Sequence, residues 1–375
     1  MAVKPLDLSG AVPYHSGAFP PETLDYEAIL PALDDAASSL ARYDARMAGM
    51  VNSALLLSPL RRQDAVSSSR MENTISTIED VYRLEAGDDA ADPYREARND
   101  DVETYLYSRA LRMAEEAIRE GQPLSEHLIR SIHQVLLSTG RGARKHPGTY
   151  KTEQNYIGDD RRGVVRYIPI APEHLGPAMG ALLDFVTASP MRPLLRTAIA
   201  HVEFEALHPF EDGNGRIGRM LITLTLWKLG ILSQPHFFVS GYFEDHKDEY
   251  IDRMRAVSAN GDWSGWIVFF LTALHQQALA NIATADAIQR LYSDMREAFR
   301  GALNSTYHDL PLDFVFASPV FYGDRFVSRL GIPPTTARGL LRRLSEADLV
   351  RTLEPAAGRR PALYAFDPLL DLLKV

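Results

Sequence analysis

In the run His208-Pro209-Phe210-Glu211-Asp212-Gly213-Asn214-Gly215-Arg216-Ile217-Gly218-Arg219, an imidazole, a carboxylate, a glycine-flanked asparagine and two guanidiniums follow one another closely. Gly213 and Gly215 let the backbone approach a ligand and aim successive N–H groups at it, as an anion nest does. A helix starting near Gly215 adds the positive end of its dipole, which favours phosphate. Arg216 and Arg219, three apart on that helix, are neighbours able to neutralise polyphosphate charge together. Asp212 offers a hard oxygen to Mg²⁺, which takes one or two carboxylates plus substrate phosphates. His208 precedes this cradle, and an imidazole of ordinary pKa suits taking a proton from an attacking hydroxyl. Base, metal carboxylate and phosphate cradle together describe nucleotidyl or phosphoryl transfer.

Positioning such a loop requires rigid elements on both sides. Ile199, Val202 and Phe204 before it, and Ile217, Leu221 and Leu224 after it, recur at helical spacing. Helical periodicity also marks about Tyr26 to Met50 and Arg95 to Glu120, with a further helix begun by Pro59 in its first turn. Ser125 caps the helix carrying Leu128, Ile129, Ile132, Val135 and Leu136. The first two dozen residues, rich in Pro and Gly, read as a lead-in wrapped on a later surface, and the acidic stretch Glu85–Pro93 as a loop. Tyr156-Ile157-Gly158 and Val164–Ile168 flank a polar tip, Asp159–Gly163, which predicts a β-hairpin. Trp263, Trp266, Phe269 and Phe270 recur at helical spacing as core packing.

Beyond Pro311, short helices, the segment Thr335–Leu344 and two strand-like runs predict a winged helix-turn-helix. Arg338, Arg342 and Arg343 fall on its recognition helix, and Arg359 and Arg360 in its wing. That pattern fits DNA contact; Asp324, Glu346, Asp348 and Glu354 offset it, as a protein-docking unit would tolerate. The expected division is 1–100, an N-terminal helical region; 101–305, a catalytic core; and 306–375, the winged helix.

The run from His208 to Arg219 resembles the Fic motif, HxFx(D/E)GNGRxxR, at every fixed position. The resemblance implies a mainly α chain: a Fic-type helical core with a small β-hairpin flap, an N-terminal helical region and a C-terminal winged helix. It implies a protein adenylyltransferase that moves AMP from ATP, with Mg²⁺, onto a Tyr, Thr or Ser hydroxyl of a target protein or of itself. His208 is then the base and Asp212 the Mg²⁺ ligand. Gly213, Asn214, Gly215 and Arg216 bind phosphates, and Arg219 reaches the γ-phosphate. Gly148–Gly158 and the hairpin after it resemble the Fic flap, where Tyr156, Ile157 and Gly158 would register an extended target segment. Ser68-Ser69-Arg70-Met71-Glu72-Asn73 resembles the inhibitory (S/T)xxxE(G/N) motif, in which Ser68, Glu72 and Asn73 hold the fixed positions and Glu72 would pair with Arg219. The family often carries a Tyr-Tyr pair after the motif; this chain has Tyr250-Ile251. Removal of AMP, another nucleotide donor, or a DNA-binding regulator with a nucleotide-sensing core are the alternatives left open.

Bulk properties agree with a globular enzyme. The 375 residues carry a net charge of −9 and no cysteine, which excludes disulfides, thiolate chemistry and cysteine zinc sites. The acidic balance argues against a surface that is wholly a nucleic-acid or anionic-membrane footprint. The N-terminus lacks the apolar stretch of a secretory signal, so the expected location is cytoplasmic, with no membrane partner and a homodimer left open.

Overall fold

The computed structural model describes residues 6–374 apart from 51, 88–93, 95, 96, 160–162 and 359. The chain begins with β1 (Val12–Pro13), α1 (Tyr26–Ala48), α2 (Ser53–Met71), α3 (Ile78–Gly87), α4 (Asn99–Arg119) and α5 (Glu126–Leu136). Then come β2 (Ile157–Asp159), β3 (Val164–Ile168), α6 (Pro172–Ala188), α7 (Pro193–Leu207), α8 (Asn214–Lys228), α9 (Ser240–Asp245), α10 (Lys247–Asn260) and α11 (Trp263–Leu303). The last stretch holds α12 (Asp309–Ala317), β4 (Val320–Tyr322), α13 (Gly323–Arg329), α14 (Pro334–Glu346), β5 (Arg351–Glu354), β6 (Leu363–Ala365) and α15 (Asp367–Leu372). Helix dominates, as expected. Two compact units divide these elements: Met1–Ala45 with Leu106–Leu279, and Arg46–Tyr105 with Ala280–Val375. The division therefore follows long helices that pass from one unit to the other, where the sequence suggested cuts near 100 and 305.

In the first unit, α7 packs against both α6 and α8. Pro193 opens α7 and Pro172 opens α6, each where a missing N–H costs nothing. Ala198, Ile199, Val202 and Phe204 of α7 meet Ile217, Met220 and Leu224 of α8 in a core that also buries Trp266 and Phe270 of α11. The Trp266 indole N–H donates to Ala198 O at 2.8 Å, so the largest buried side chain also satisfies its polar atom. α11 is long and apolar enough to cross a membrane by length and composition alone, but Trp266, Ile267, Phe270, Leu271 and Leu274 on it are buried in this core.

A small sheet of order β1-β3-β2 lies in the same unit. β2 and β3 form the antiparallel hairpin; the tip residues 160–162 lie outside the described residues. Gly158 is dictated by the pairing, because a Cβ there would stand 2.0 Å from Val164 O. The lead-in runs parallel along β3, and its anchor is buried: Tyr14 Oη donates to Glu203 Oε1 at 2.7 Å, and His15 Nε2 meets Glu203 Oε2 at 2.8 Å.

The second unit corrects one local expectation. Pro59 does not sit in a first turn: α2 starts at Ser53 and carries Pro59 inside. The carbonyl that its absent N–H would have reached, Leu55 O, accepts instead from Ser58 Oγ at 3.1 Å, which relieves part of the usual cost of an interior proline. The stretch expected to be a winged helix holds short helices and a small sheet, with one strand more than the sequence indicated. Helices α12, α13 and α14 accompany a sheet of order β4-β6-β5, in which β5 and β6 make the antiparallel ribbon.

Candidate active site

The loop joining α7 to α8 begins with His208 as the left-handed C-cap of α7, at φ 46°. Its N–H still reaches back to Phe204 O at 3.1 Å. A non-glycine residue in this region is uncommon and stays there only when its surroundings hold it. Those surroundings are specific, because every carbonyl from Leu207 to Phe210 is engaged. Lys151 Nζ donates to Leu207 O at 3.0 Å, and its backbone N–H to Pro209 O at 2.8 Å. Asn155 Nδ2 donates to His208 O at 3.0 Å and to Phe210 O at 3.1 Å. Asn214 adds both its polar atoms: Oδ1 accepts from Phe210 N–H and Nδ2 donates to Phe210 O, each at 2.8 Å.

The second half of the loop rests on His133 of α5. His133 Nε2 donates to Asp212 O at 3.0 Å while Nδ1 accepts from Gly148 N–H at 2.8 Å. The two bonds fix a neutral tautomer, since a ring accepting at Nδ1 cannot be doubly protonated. The ring stacks on Phe210 with centroids 3.7 Å apart and planes 7° from parallel. Burial pushes its pKa down to about 4.

Gly213, left-handed at φ 80°, caps α8, and Ile217 N–H closes the first turn onto Gly213 O at 3.0 Å. The N–H groups that open a helix have no carbonyl partner within it and carry the positive dipole end. Asp212 Oδ1 accepts from Gly213 N–H at 2.6 Å and from Arg216 Nη2 at 3.3 Å, while its side chain remains 43% exposed. No cluster of three or more metal-ligating side chains occurs among the described residues. Asp212 is a single open carboxylate beside a helix N-terminus, a donor that could hold Mg²⁺ only together with the phosphates of a substrate. Arg216 and Arg219 are buried, at 2% and 3% exposure. Close packing of α8 on α7 depends on Gly218, where a Cβ would lie 2.1 Å from Glu205 Oε1.

Behind Arg219, His201 Nδ1 bonds Gly218 O at 3.2 Å and Nε2 bonds Tyr250 Oη at 2.8 Å. Burial, with the Arg219 charge beside it, pushes the His201 pKa down to about 3. Tyr250 thus belongs to the core, whereas Ile251 is 41% exposed. Two histidines that fold neutral make stability depend on pH in a definite direction. Their pKa values lie below the usual 6.5, so the unfolded chain binds more protons between about pH 6.5 and 4. Their contribution is full above pH 6.5 and lost as pH falls through that window. Urea midpoints measured from pH 7.5 to 4.5 should fall, and His201→Phe should flatten the fall; an unchanged slope would remove His201 as a cause.

Of the residues singled out by the sequence, His208, Asp212, Gly213, Asn214, Gly215, Arg216 and Arg219 come together in this one loop and the first two turns of α8. Ile157 and Gly158 lie on β2 of the same unit; Tyr156 precedes the strand and is 40% exposed. Ser68, Glu72 and Asn73 lie in the second unit. Ser68 is buried within α2, and Glu72 is its exposed C-cap. Asn73 follows at φ 60°, with Asn73 N–H on Arg70 O and Thr74 N–H on Ser69 O. This is a Schellman motif. The alternation of Gly and Asn at the last position of the (S/T)xxxE(G/N) pattern has its reason here, since those residues best tolerate the left-handed turn.

His133, Lys151, Asn155 and His201 were not singled out as site residues. Lys151 and Asn155 fall within Gly148–Gly158, the stretch likened to the flap, where nothing set them apart.

The chain belongs to the Fic/DOC family. The Fic/DOC family model matches residues 123–226 and the Fic/DOC N-terminal model matches residues 30–116, together just over half of the chain. Protein adenylyltransferase fic-1 of Caenorhabditis briggsae is 30% identical over 115 residues, 30% of this chain and 21% of that protein. The chain thus spans about a fifth of the length of that curated relative. A Fic family protein from Desulfovibrio desulfuricans G20 shares the fold over 92% of this chain and 98% of its own, with a TM-score of 0.59 at 22% identity. Fic-1 of Caenorhabditis elegans, residues 134–508, shares it over 72% and 75%, with a TM-score of 0.51 at 18% identity.

Proposed function

We propose that this chain transfers AMP from ATP to the hydroxyl of a Tyr, Thr or Ser side chain in a protein, itself included. The observation that carries the reading is one loop that sets the imidazole of His208, the half-exposed Asp212 carboxylate and the N-terminus of α8 in immediate succession. The relatives named protein adenylyltransferase support the same choice. In this reading His208 removes the hydroxyl proton as the oxygen attacks the α-phosphorus of ATP. The bond from that phosphorus to the bridging oxygen breaks, and pyrophosphate leaves with the electron pair. The opening N–H groups of α8, with Arg216 and Arg219, hold the phosphates against the charge that builds on the leaving group. Asp212 would hold Mg²⁺, which supplies further neutralisation of the phosphate oxygens when bound. Glu72 acts as a restraint on the reaction, as its place in the inhibitory pattern implies.

Incubating the purified chain with Mg²⁺ and α-³²P-labelled ATP, with a cell lysate as target source, tests this. Protein-bound label is expected and should rise at least about tenfold in Glu72→Gly, a change that a preference of about 1.4 kcal/mol accounts for. Label from γ- but not α-³²P-ATP would replace AMP transfer by kinase chemistry. Unchanged label in Glu72→Gly would remove the restraint and leave the transfer standing.

A further inference from the structure

We propose that the winged helix of the second unit binds duplex DNA, with α14 in the major groove and the β5–β6 ribbon against the backbone. Charge is the first observation. The chain as a whole is at −9, yet residues 324–360 hold eight arginines against Asp324, Glu346, Asp348 and Glu354. A local excess of that size inside an acidic protein concentrates attraction for a polyanion on one element.

Geometry is the second. α13 and α14 are joined by a short turn in which Gly331 takes φ 67°, and Pro334 opens α14. This is the helix-turn-helix connection, and α14 stands as its recognition helix. Ala337, Leu340, Leu341 and Leu344 are buried on one face of α14, which leaves Thr335, Arg338, Arg342 and Glu346 in an exposed stripe on the other. Arg338 and Arg329 have no carboxylate partner among the described residues.

Arg342, Arg351 and Arg360 are held, but at solvent-accessible positions. Arg342 lies 3.6 Å from Glu346, Arg360 lies 3.0 Å from Glu354, and Arg351 pairs with Asp367 at 2.6 Å. Exposed pairs of this kind are worth little, so exchange of their carboxylates for phosphates carries a small cost. The ribbon turn at 355–358 is fully exposed, with Arg360 beside it, as a wing that follows a phosphate backbone needs.

The test is anisotropy of a fluorescein-labelled, mixed-sequence duplex titrated with the full chain. Contact with about four phosphates gives a slope of about −3.6 in log K against log salt, so affinity should fall about 150-fold between roughly 50 and 200 mM salt. Arg338→Glu/Arg342→Glu, both on the exposed face, should abolish binding at the lower salt while AMP transfer stays at the wild-type rate. No binding at about 50 mM salt, or binding that the double variant retains, would overturn the proposal, and the former would leave the face to protein docking. Neither outcome bears on AMP transfer, whose failure the radiolabel assay reads separately.

Discussion

Replacing His208 by Ala should lower AMP transfer by about 10² to 10⁴, the range over which a positioned general base contributes. Some rate should survive, because the opening turn of α8 and the arginines would still hold the phosphates. The left-handed backbone at φ 46° complicates this variant, since alanine tolerates that region poorly and a rearranged loop would also lose activity. Asn is accepted there at smaller cost, so His208→Asn keeps the turn and removes only the base. Both variants should fall together, with apparent affinity for ATP nearly unchanged. Substantial transfer by His208→Asn with a normal melting temperature would exclude proton abstraction by this imidazole.

The second large effect is expected where the sequence offered no warning. Lys151→Met deletes both side-chain donors of Lys151, one to Leu207 O and one to Asn155 Oδ1. A buried carbonyl left without a donor costs about 1–3 kcal/mol. That carbonyl belongs to the residue just before His208, so the loss also frees the base to drift; misplacement by about 1 Å costs around 10² in rate. Asn155→Ala removes the donors to His208 O and Phe210 O and should match it. We expect each to reduce kcat tenfold to a hundredfold at nearly constant KM for ATP, and the double variant to be little worse than either single one. Equal losses in KM and kcat, or full additivity, would mean that Lys151 and Asn155 act on something other than the placement of His208. Burial also pushes the Lys151 pKa down to about 7. Its side chain makes two hydrogen bonds, the number a neutral amine can donate, so the clamp survives loss of the proton.

The loop His208–Arg219 was legible because its residues are contiguous: glycines, asparagine and arginines at fixed spacing describe a turn that opens a helix. The hairpin was legible for the same reason, through the β-branched and aromatic residues of Val164–Ile168 and the short polar tip. His133, Lys151 and Asn155 were not, because their work is done on backbone atoms that lie 53 to 79 positions away in sequence. A carbonyl looks the same in every residue, so no pattern of side chains announces which one a donor will meet. Pro59 misled for a related reason. Its acceptable place inside α2 depends on the Ser58 hydroxyl taking over a single orphaned carbonyl, a repair that periodicity does not register. The two compact units also escaped a linear reading, since residues 46–105 join the last part of the chain and not the core that follows them.

The stretch that grips the histidine backbone ends where the hairpin starts: Asn155 is two residues from Ile157, the first residue of β2. The hairpin and the base are therefore geared together, with residues 151–155 as the lever arm. A displacement of β2 would turn the same lever, so a shift of the strand would be felt at the imidazole as a mechanical load. Whatever holds the strand still would keep the imidazole in register, and whatever moves it would detune the loop.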